Sequence, residues 1–416
     1  WTSPTVPYLS HLLVLSPYEE ACIAASCFFG AALGPAIGGQ LVYRFGYKPV
    51  MLSHAVLYTV SLLLLAVSSS VLCLVVGRLV AGIATGMLLC YIPAYAREIA
   101  DAEVYEVLSP TTLPTQALGY LLAYGLAPPQ LTYHQMLCIY VSVPVVSLMS
   151  GLWLPESTSY NVSRGKLDRA EQTITFLRRG ISTSAAQAEV MYLQEKVSRE
   201  TRVKSGWLSL LSEPAEVREL LVVVSLCALQ QLSGTPVVLS LTQVLLMKSG
   251  STINANFSTI IVGVVVFFVS MFVPVFMENC SCKKALSFSA VAMAISMIVF
   301  GAHSSNMEKL GSGLTTWILM CSILLHLAAY QLGFGNICHN TDAITAFSPQ
   351  KREVAISTAL TVVFFFSSVT VFSYYLLDLH LGSGFTMWIF AFFCVVTAFV
   401  SALFVPSSLR LQLQEI

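Results

Sequence analysis

Two adjacent amides, Gln230 and Gln231, stand in the apolar run ELLVVVSLCALQQLSGTPVVLSLTQVLLM, with Ser233 and Gly234 just after them. A carboxamide in such surroundings costs on the order of 1–3 kcal/mol unless it is bonded. Two in succession therefore predict a wet or ligand-lined face, where an amide both donates to and accepts from hydroxyls. Hydrogen bonding between helices is the competing reading of the same pair. Gly234 and Pro236 then interrupt the segment, and a broken helix at membrane depth is tolerated only against protein or a cavity. His339, Asn340 and Asp342 form a second candidate group, because a histidine with an acid three residues on makes a protonatable pair on one helical face. Cys280 and Cys282 are the one close cysteine pair, but two thiolates fill only half of a zinc shell, so no metal is expected. No nucleophile, base and acid set or phosphate loop stands out. The chain is expected to be neither an enzyme nor the holder of a cofactor.

The elements that position these residues follow from composition. Of the 416 residues 56% are hydrophobic and 10% charged, against about 25% charged in soluble domains. Lys+Arg and Asp+Glu are equal at 21 each, so no global field points to nucleic acid. A bilayer core about 30 Å thick needs about 20 apolar residues per helix. On that basis the sequence predicts an all-α membrane protein with twelve transmembrane helices in two pseudo-symmetric six-helix bundles. The expected spans are 1–16, 20–42, 50–68, 71–96, 109–128, 133–155, 218–247, 253–277, 284–303, 314–345, 353–380 and 384–405, the first read as truncated. The organisation is then an N-terminal bundle over 1–155, a linker of amphipathic helices over 156–217, a C-terminal bundle over 218–405 and a tail over 406–416. With both termini cytoplasmic, all 21 Lys and Arg except Arg78, Lys248 and Lys309 fall inside, as the positive-inside rule requires. Asn256-Phe257-Ser258 is a glycosylation sequon on an expected outer loop. Asn161-Val162-Ser163 lies on the cytoplasmic side and is expected to stay bare.

The halves echo each other. GQLVYRFGYK follows the second span and ENCSCKK the eighth, while Pro155-Glu156-Ser157 ends the sixth and Pro406-Ser407-Ser408 the twelfth. Such internal repeats place a substrate near the midplane between halves. Gly82 and Gly86, four apart, predict a smooth strip on the fourth span for close backbone approach. The gate and structural candidates are Arg44, Gly46, Arg78, Glu98, Glu278, Lys283 and Arg352. Charge pairs between cytoplasmic helix ends, as at Arg44 and Glu98, can latch an inner gate.

The stretch GRLVAGIATGMLLCYIPAYAREIA, the QQLSG at Gln230 to Gly234, and PES followed by SRGKLDRAEQTITFLRRG together resemble the sugar-porter branch of the major facilitator superfamily, almost end to end. WTSP and the LPT at Leu113 to Thr115 look most like the insect facilitated trehalose transporters, with facilitative glucose transporters also similar. The resemblance implies alternating access, a sugar held by Gln230 and Gln231, a plasma-membrane location, and a monomer as sufficient unit. It also exposes departures. Tyr43 and Tyr47 stand where the family has an acid or asparagine and an arginine, and Pro236 where it has the asparagine after QQLSG. Val266 and Val363 replace polar residues, and Asn336, Cys338 and His339 replace proline, proline and tryptophan. Three outcomes stay open: sugar uniport, a carrier for a less polar solute, and a transport-inactive sensor.

Overall fold

The computed structural model describes residues 1–68, 70–126, 131–178, 180–201, 214–248, 254–305, 312–336 and 349–405. The first half contains α1 (Thr2–Leu13), α2 (Pro17–Phe45), α3 (Tyr47–Val67), α4 (Val71–Ile99), α5 (Ala102–Leu108), α6 (Thr112–Gly125) and α7 (Tyr133–Trp153). Three further helices follow, α8 (Thr158–Ser163), α9 (Leu167–Leu177) and α10 (Thr183–Thr201). The second half contains α11 (Pro214–Leu232), α12 (Thr235–Lys248), α13 (Ala255–Asn279), α14 (Cys282–Ser304), α15 (Ser312–Leu332), α16 (Pro349–Leu381) and α17 (Ser383–Phe404).

Among the described residues nine helices are long and apolar enough to cross a membrane, α11 and α12 counting as one. Shorter helices occupy the other three expected spans: α1, α6, and the apolar Trp317–Leu332 part of α15. Two spans differ from expectation. The fifth, expected over 109–128, opens as a 3₁₀ turn at Ser109–Thr111 that contains Pro110 and is α-helical only over α6, with the short α5 ahead of it. The tenth stops at Leu332 and continues as a 3₁₀ turn over Phe334–Asn336, short of 345. His339, Asn340 and Asp342 lie outside the described residues.

Local sequence explains the helix starts. Ser16 and Glu19 form a capping box at α2, Ser16 N–H reaching the Glu19 carboxylate at 2.8 Å, with Pro17 at the first helical position. Thr132 and Gln135 do the same for α7. Exposed rings such as Phe268 and Phe272 on α13 and Phe392 and Phe399 on α17 line outward faces, as suits helices bathed in lipid rather than water.

The helix pairings carry the pseudo-symmetry. α2 packs on α4 as α13 does on α15, α3 on α7 as α14 on α17, and α3 on α4 as α14 on α15. Across the halves, α2 lies along α16 and α6 along α13, which are the same pair exchanged. The strip anticipated on α4 is real. A Cβ at Gly82 would lie 2.0 Å from the Cys27 carbonyl oxygen and one at Gly86 2.2 Å from that of Ala31. The partner helix contributes its own glycines, since a Cβ at Gly34 would lie 2.6 Å from the Gly86 Cα. Between the halves the core joins Ala21, Ala24, Ala25 and Ala117 to Val237, Val238 and Leu241. Over 156–201, helices α8, α9 and α10 turn their apolar residues on one another, Val162, Ala170, Ile174, Ala186 and Val190 forming a small core of their own.

Candidate functional site

The paired glutamines end α11 one turn before the helix breaks, and both are buried, Gln230 at 2% exposure and Gln231 at 4%. Gln230 Nε2 donates to the Tyr330 hydroxyl at 3.2 Å and to the Phe334 carbonyl. Its Oε1 accepts from Gln231 Nε2 at 2.8 Å, and Gln231 Oε1 accepts from the Ser367 hydroxyl at 3.0 Å. The network ties α11 to α15 and α16. Its origin lies in the end of α15, where the 3₁₀ turn leaves Phe334 without a helical partner. Gln230 meets its carbonyl and Ser289 Oγ accepts its N–H at 3.4 Å, as backbone at membrane depth demands.

The crevice beside the pair is lined by Gln230, Ser233, Ala290, Met293, Phe334, Cys394 and Thr397, and it is too narrow to take a water molecule. All seven residues belong to the second half, so this crevice is not a cleft between the halves. The halves also meet at both ends: α1 packs on α12, while Leu89 and Cys90 of α4 pack on the cluster holding Ala359 and Leu360 of α16. In this arrangement the amides face helices, not an opening, with their hydrogen bonds taken by Tyr330, Phe334 and Ser367.

Gly234 has a positive φ of 86°, the left-handed region open to glycine, and a Cβ there would lie 2.5 Å from Phe390 Cδ2. Ser233 Oγ donates to the Gln230 carbonyl at 2.5 Å and lies 3.0 Å from Thr235 Oγ1. Thr235 continues to His326 Nε2 at 3.1 Å, whose Nδ1 lies 3.3 Å from Ser296 Oγ. His326 is fully buried. Sequence reasoning left out His326, Tyr330 and Ser367. For His326 a signal existed, a histidine in the apolar run ILLHLAAYQL, which marks a candidate by default. Ser367 sits one turn beyond Val363 and donates also to its carbonyl at 2.8 Å. α16 thus presents a hydroxyl one turn beyond Val363, the position where the family resemblance calls for a polar residue. Val266 is buried in the inter-half core.

The gate candidates fall around another centre. Gly46, φ 92°, joins α2 to α3, and a Cβ there would lie 2.5 Å from the Glu156 carboxylate. That carboxylate accepts the N–H groups of Tyr47 at 2.8 Å and Lys48 at 3.2 Å, an anion at a helix start with its free donors and positive dipole end. Glu98 accepts from the Ser157 hydroxyl, and no ion pair between Glu98 and Arg44 forms among the described residues. The Arg44 side chain is exposed, while its carbonyl accepts from Tyr160 and Arg164, each at 3.0 Å. Arg164 also lies over the rings of Tyr43 and Tyr160, and Arg97 over Tyr105, so arginine and ring contacts occupy positions where the family resemblance calls for charges. Arg78 is 8% exposed, donates to Thr2 Oγ1 at 2.8 Å and stacks over Trp1 at 4.5 Å. Lys283 is half-buried at the start of α14, while the side chains of Glu278 on α13 and Arg352 on α16 lie outside the described set. Beside Arg352, Lys351 pairs with Glu216 at 2.5 Å. Among the described residues no group of three His, Cys, Asp or Glu could hold a metal.

Comparison with known proteins places this geometry. The facilitated trehalose transporter Tret1-2 homolog of Drosophila simulans is 26% identical over 430 residues, spanning 100% of this chain and 86% of its own. The facilitated trehalose transporter Tret1 of Apis mellifera ligustica is 26% identical over 393 residues, 93% of this chain and 76% of its own. Among solved structures, the partially occluded inward-open xylose transporter XylE from E. coli superposes with a TM-score of 0.79 at 22% identity, over 97% of this chain and 94% of its own. The proton:xylose symporter XylE bound to 6-bromo-6-deoxy-D-glucose gives 0.76 at 22% identity, over 97% and 91%. These structural likenesses carry the major facilitator fold. A family model described as sugar (and other) transporter matches residues 15–416, and the chain therefore belongs to that family of transporters.

Proposed function

We propose that this protein is a facilitative carrier of a small polyhydroxylated solute, trehalose or a hexose, working by alternating access in the plasma membrane with both termini cytoplasmic. The observation that carries the reading is the buried Gln230 and Gln231 network at a helix break, whose partners are two hydroxyls and a carbonyl, groups that a sugar hydroxyl can replace one for one. The trehalose carriers among its relatives support the class of cargo. Uniport is supported by the low charge of the apolar spans, 10% of all residues being Asp, Glu, Lys or Arg. In liposomes labelled trehalose or glucose is expected to enter without a pH gradient. Gln231→Ala is expected to weaken apparent affinity up to about tenfold, the equivalent of a hydrogen bond of about 0.5–1.5 kcal/mol.

One observation favours a second reading, a transport-inactive sensor: the amides are occupied by protein groups and the crevice beside them admits no water. Sugar counterflow through reconstituted protein separates the two. Robust counterflow excludes the sensor, whereas uptake equal to empty liposomes across trehalose, glucose and fructose rejects the carrier.

A further inference from the structure

We propose that the cytoplasmic ends of α2, α3 and α7 form a binding site for one anionic phospholipid, whose headgroup is received by Arg44, Lys48 and Arg164. The three cations meet around the turn between α2 and α3. Arg164 Nη2 donates to the Tyr43 carbonyl at 2.7 Å and to the Arg44 carbonyl at 3.0 Å, among the last acceptors of α2. Lys48 Nζ donates to the Leu152 carbonyl at 2.8 Å, which fastens the start of α3 to the end of α7. The Arg44 side chain is exposed. These contacts hold the cations without neutralising them, because the acceptors are carbonyls. Glu156, the acid beside them, already takes the N–H groups of Tyr47, Lys48 and Ser157. Among the described residues no carboxylate pairs with any of the three cations.

The surroundings favour a lipid over a free ion. Tyr43 is 76% exposed, Phe45 57% and Trp153 86%, and these rings stand beside the cations at the ends of α2 and α7. Aromatic rings at the end of an apolar span sit at headgroup level, so a molecule that brings its charge to the arginines also lays its glycerol and acyl chains on the rings. A free phosphate meets the charges and leaves the rings in water. Arg164 lies over the rings of Tyr43 and Tyr160, 5.9 and 5.4 Å from their centres, which orients its guanidinium plane. Among the described residues only Nη2 of that fork is engaged, and Nη1 and Nε remain as donors. The cytoplasmic leaflet carries the anionic lipids, and clustered Lys and Arg on that side attract them. Selection is for net negative charge, since the quaternary ammonium of phosphatidylcholine cancels its phosphate and is repelled by Arg44.

This inference rests on the proposed topology for the choice of leaflet, but its test needs neither cargo nor orientation and so can fail independently of transport. Full-length protein in detergent micelles is mixed with phosphatidylserine or with phosphatidylcholine, and the lipids that stay bound are counted by native mass spectrometry. Wild type is expected to retain one phosphatidylserine under conditions that strip phosphatidylcholine. Arg44→Gln removes an exposed side chain and is expected to lower that retention at least about threefold, the scale of one basic residue at an anionic surface. Arg44→Lys keeps the charge and is expected to retain the lipid as wild type does. Lys196→Gln, the same loss of charge at an exposed position of α10, is expected to change nothing. Equal retention of the two lipids, a loss in Lys196→Gln as large as in Arg44→Gln, or displacement of the lipid by inorganic phosphate would overturn the proposal.

Discussion

At the scale of single residues, the break after Gln231 depends on a position that only glycine fills. Gly234 combines a φ of 86° with a Cβ site 2.5 Å from Phe390 Cδ2. The left-handed conformation alone costs a residue with a Cβ about 1–2 kcal/mol, and the ring must then move as well. Gly234→Ala is expected to lower the thermal unfolding midpoint of purified protein and to reduce uptake more than Gln231→Ala does; a midpoint equal to wild type would contradict the geometry. The amides themselves were legible in the sequence, because polar groups in an apolar run demand an explanation. Their partners were not. Tyr330, Phe334 and Ser367 lie on helices that only folding brings to α11. The sequon at Asn256 shows the same limit: Asn256 lies inside α13, where its side chain accepts from Gln243.

At the scale of elements, the contact between α2 and α4 separates glycines that matter from glycines that do not. Gly34 and Gly86 place two backbones in contact, whereas a Cβ at Gly39 meets nothing within 4 Å. Gly86→Leu is expected to cost more than the 1–3 kcal/mol usual for overpacking, because the obstacle is backbone and has no rotamer to change. Gly39→Ala, in the same helix α2, is expected to be neutral or to stabilise by about 0.5–1 kcal/mol. Thermal melts of the two variants in one detergent check both. The spacing of Gly82 and Gly86 announced the strip on α4, but its partner strip on α2 follows only from the crossing of the helices. Glu156 teaches a related lesson. The PES motif was visible, yet nothing local in it says that its carboxylate caps α3, more than 100 residues earlier in the chain. Glu156→Ala is expected to destabilise the protein by about 0.5–2 kcal/mol, the usual range for a lost cap, seen as a lower unfolding midpoint.

At the scale of the whole molecule, the exchanged pairs α2 with α16 and α6 with α13 join the two halves across a shared core, about which the proposed carrier would rock. On the proposed uniport no proton moves with the cargo. Sugar uptake into cells is therefore expected to be unaffected by a protonophore and flat across external pH 6 to 8, a range around the histidine midpoint of about 6.5 where coupled carriers respond. A loss of accumulation on collapsing the proton gradient would instead reveal an acid–base partner for the cycle.

The sequence by itself determined the quantities that depend on neighbours along the chain: the apolar spans, their grouping in two echoing sets, the helix break after QQLSG, and the need of two amides for partners. Periodicity and burial set these, because hydrophobic length and helix caps are local properties. Only the tertiary structure decided which groups satisfy those needs. It closes the amides on α15 and α16, sets Ser367 one turn past Val363, and links Thr235 to His326. The physical reason is that a hydrogen bond within an apolar span is assigned by which helices cross and at what depth. Crossings are a property of the packed molecule, not of any one segment.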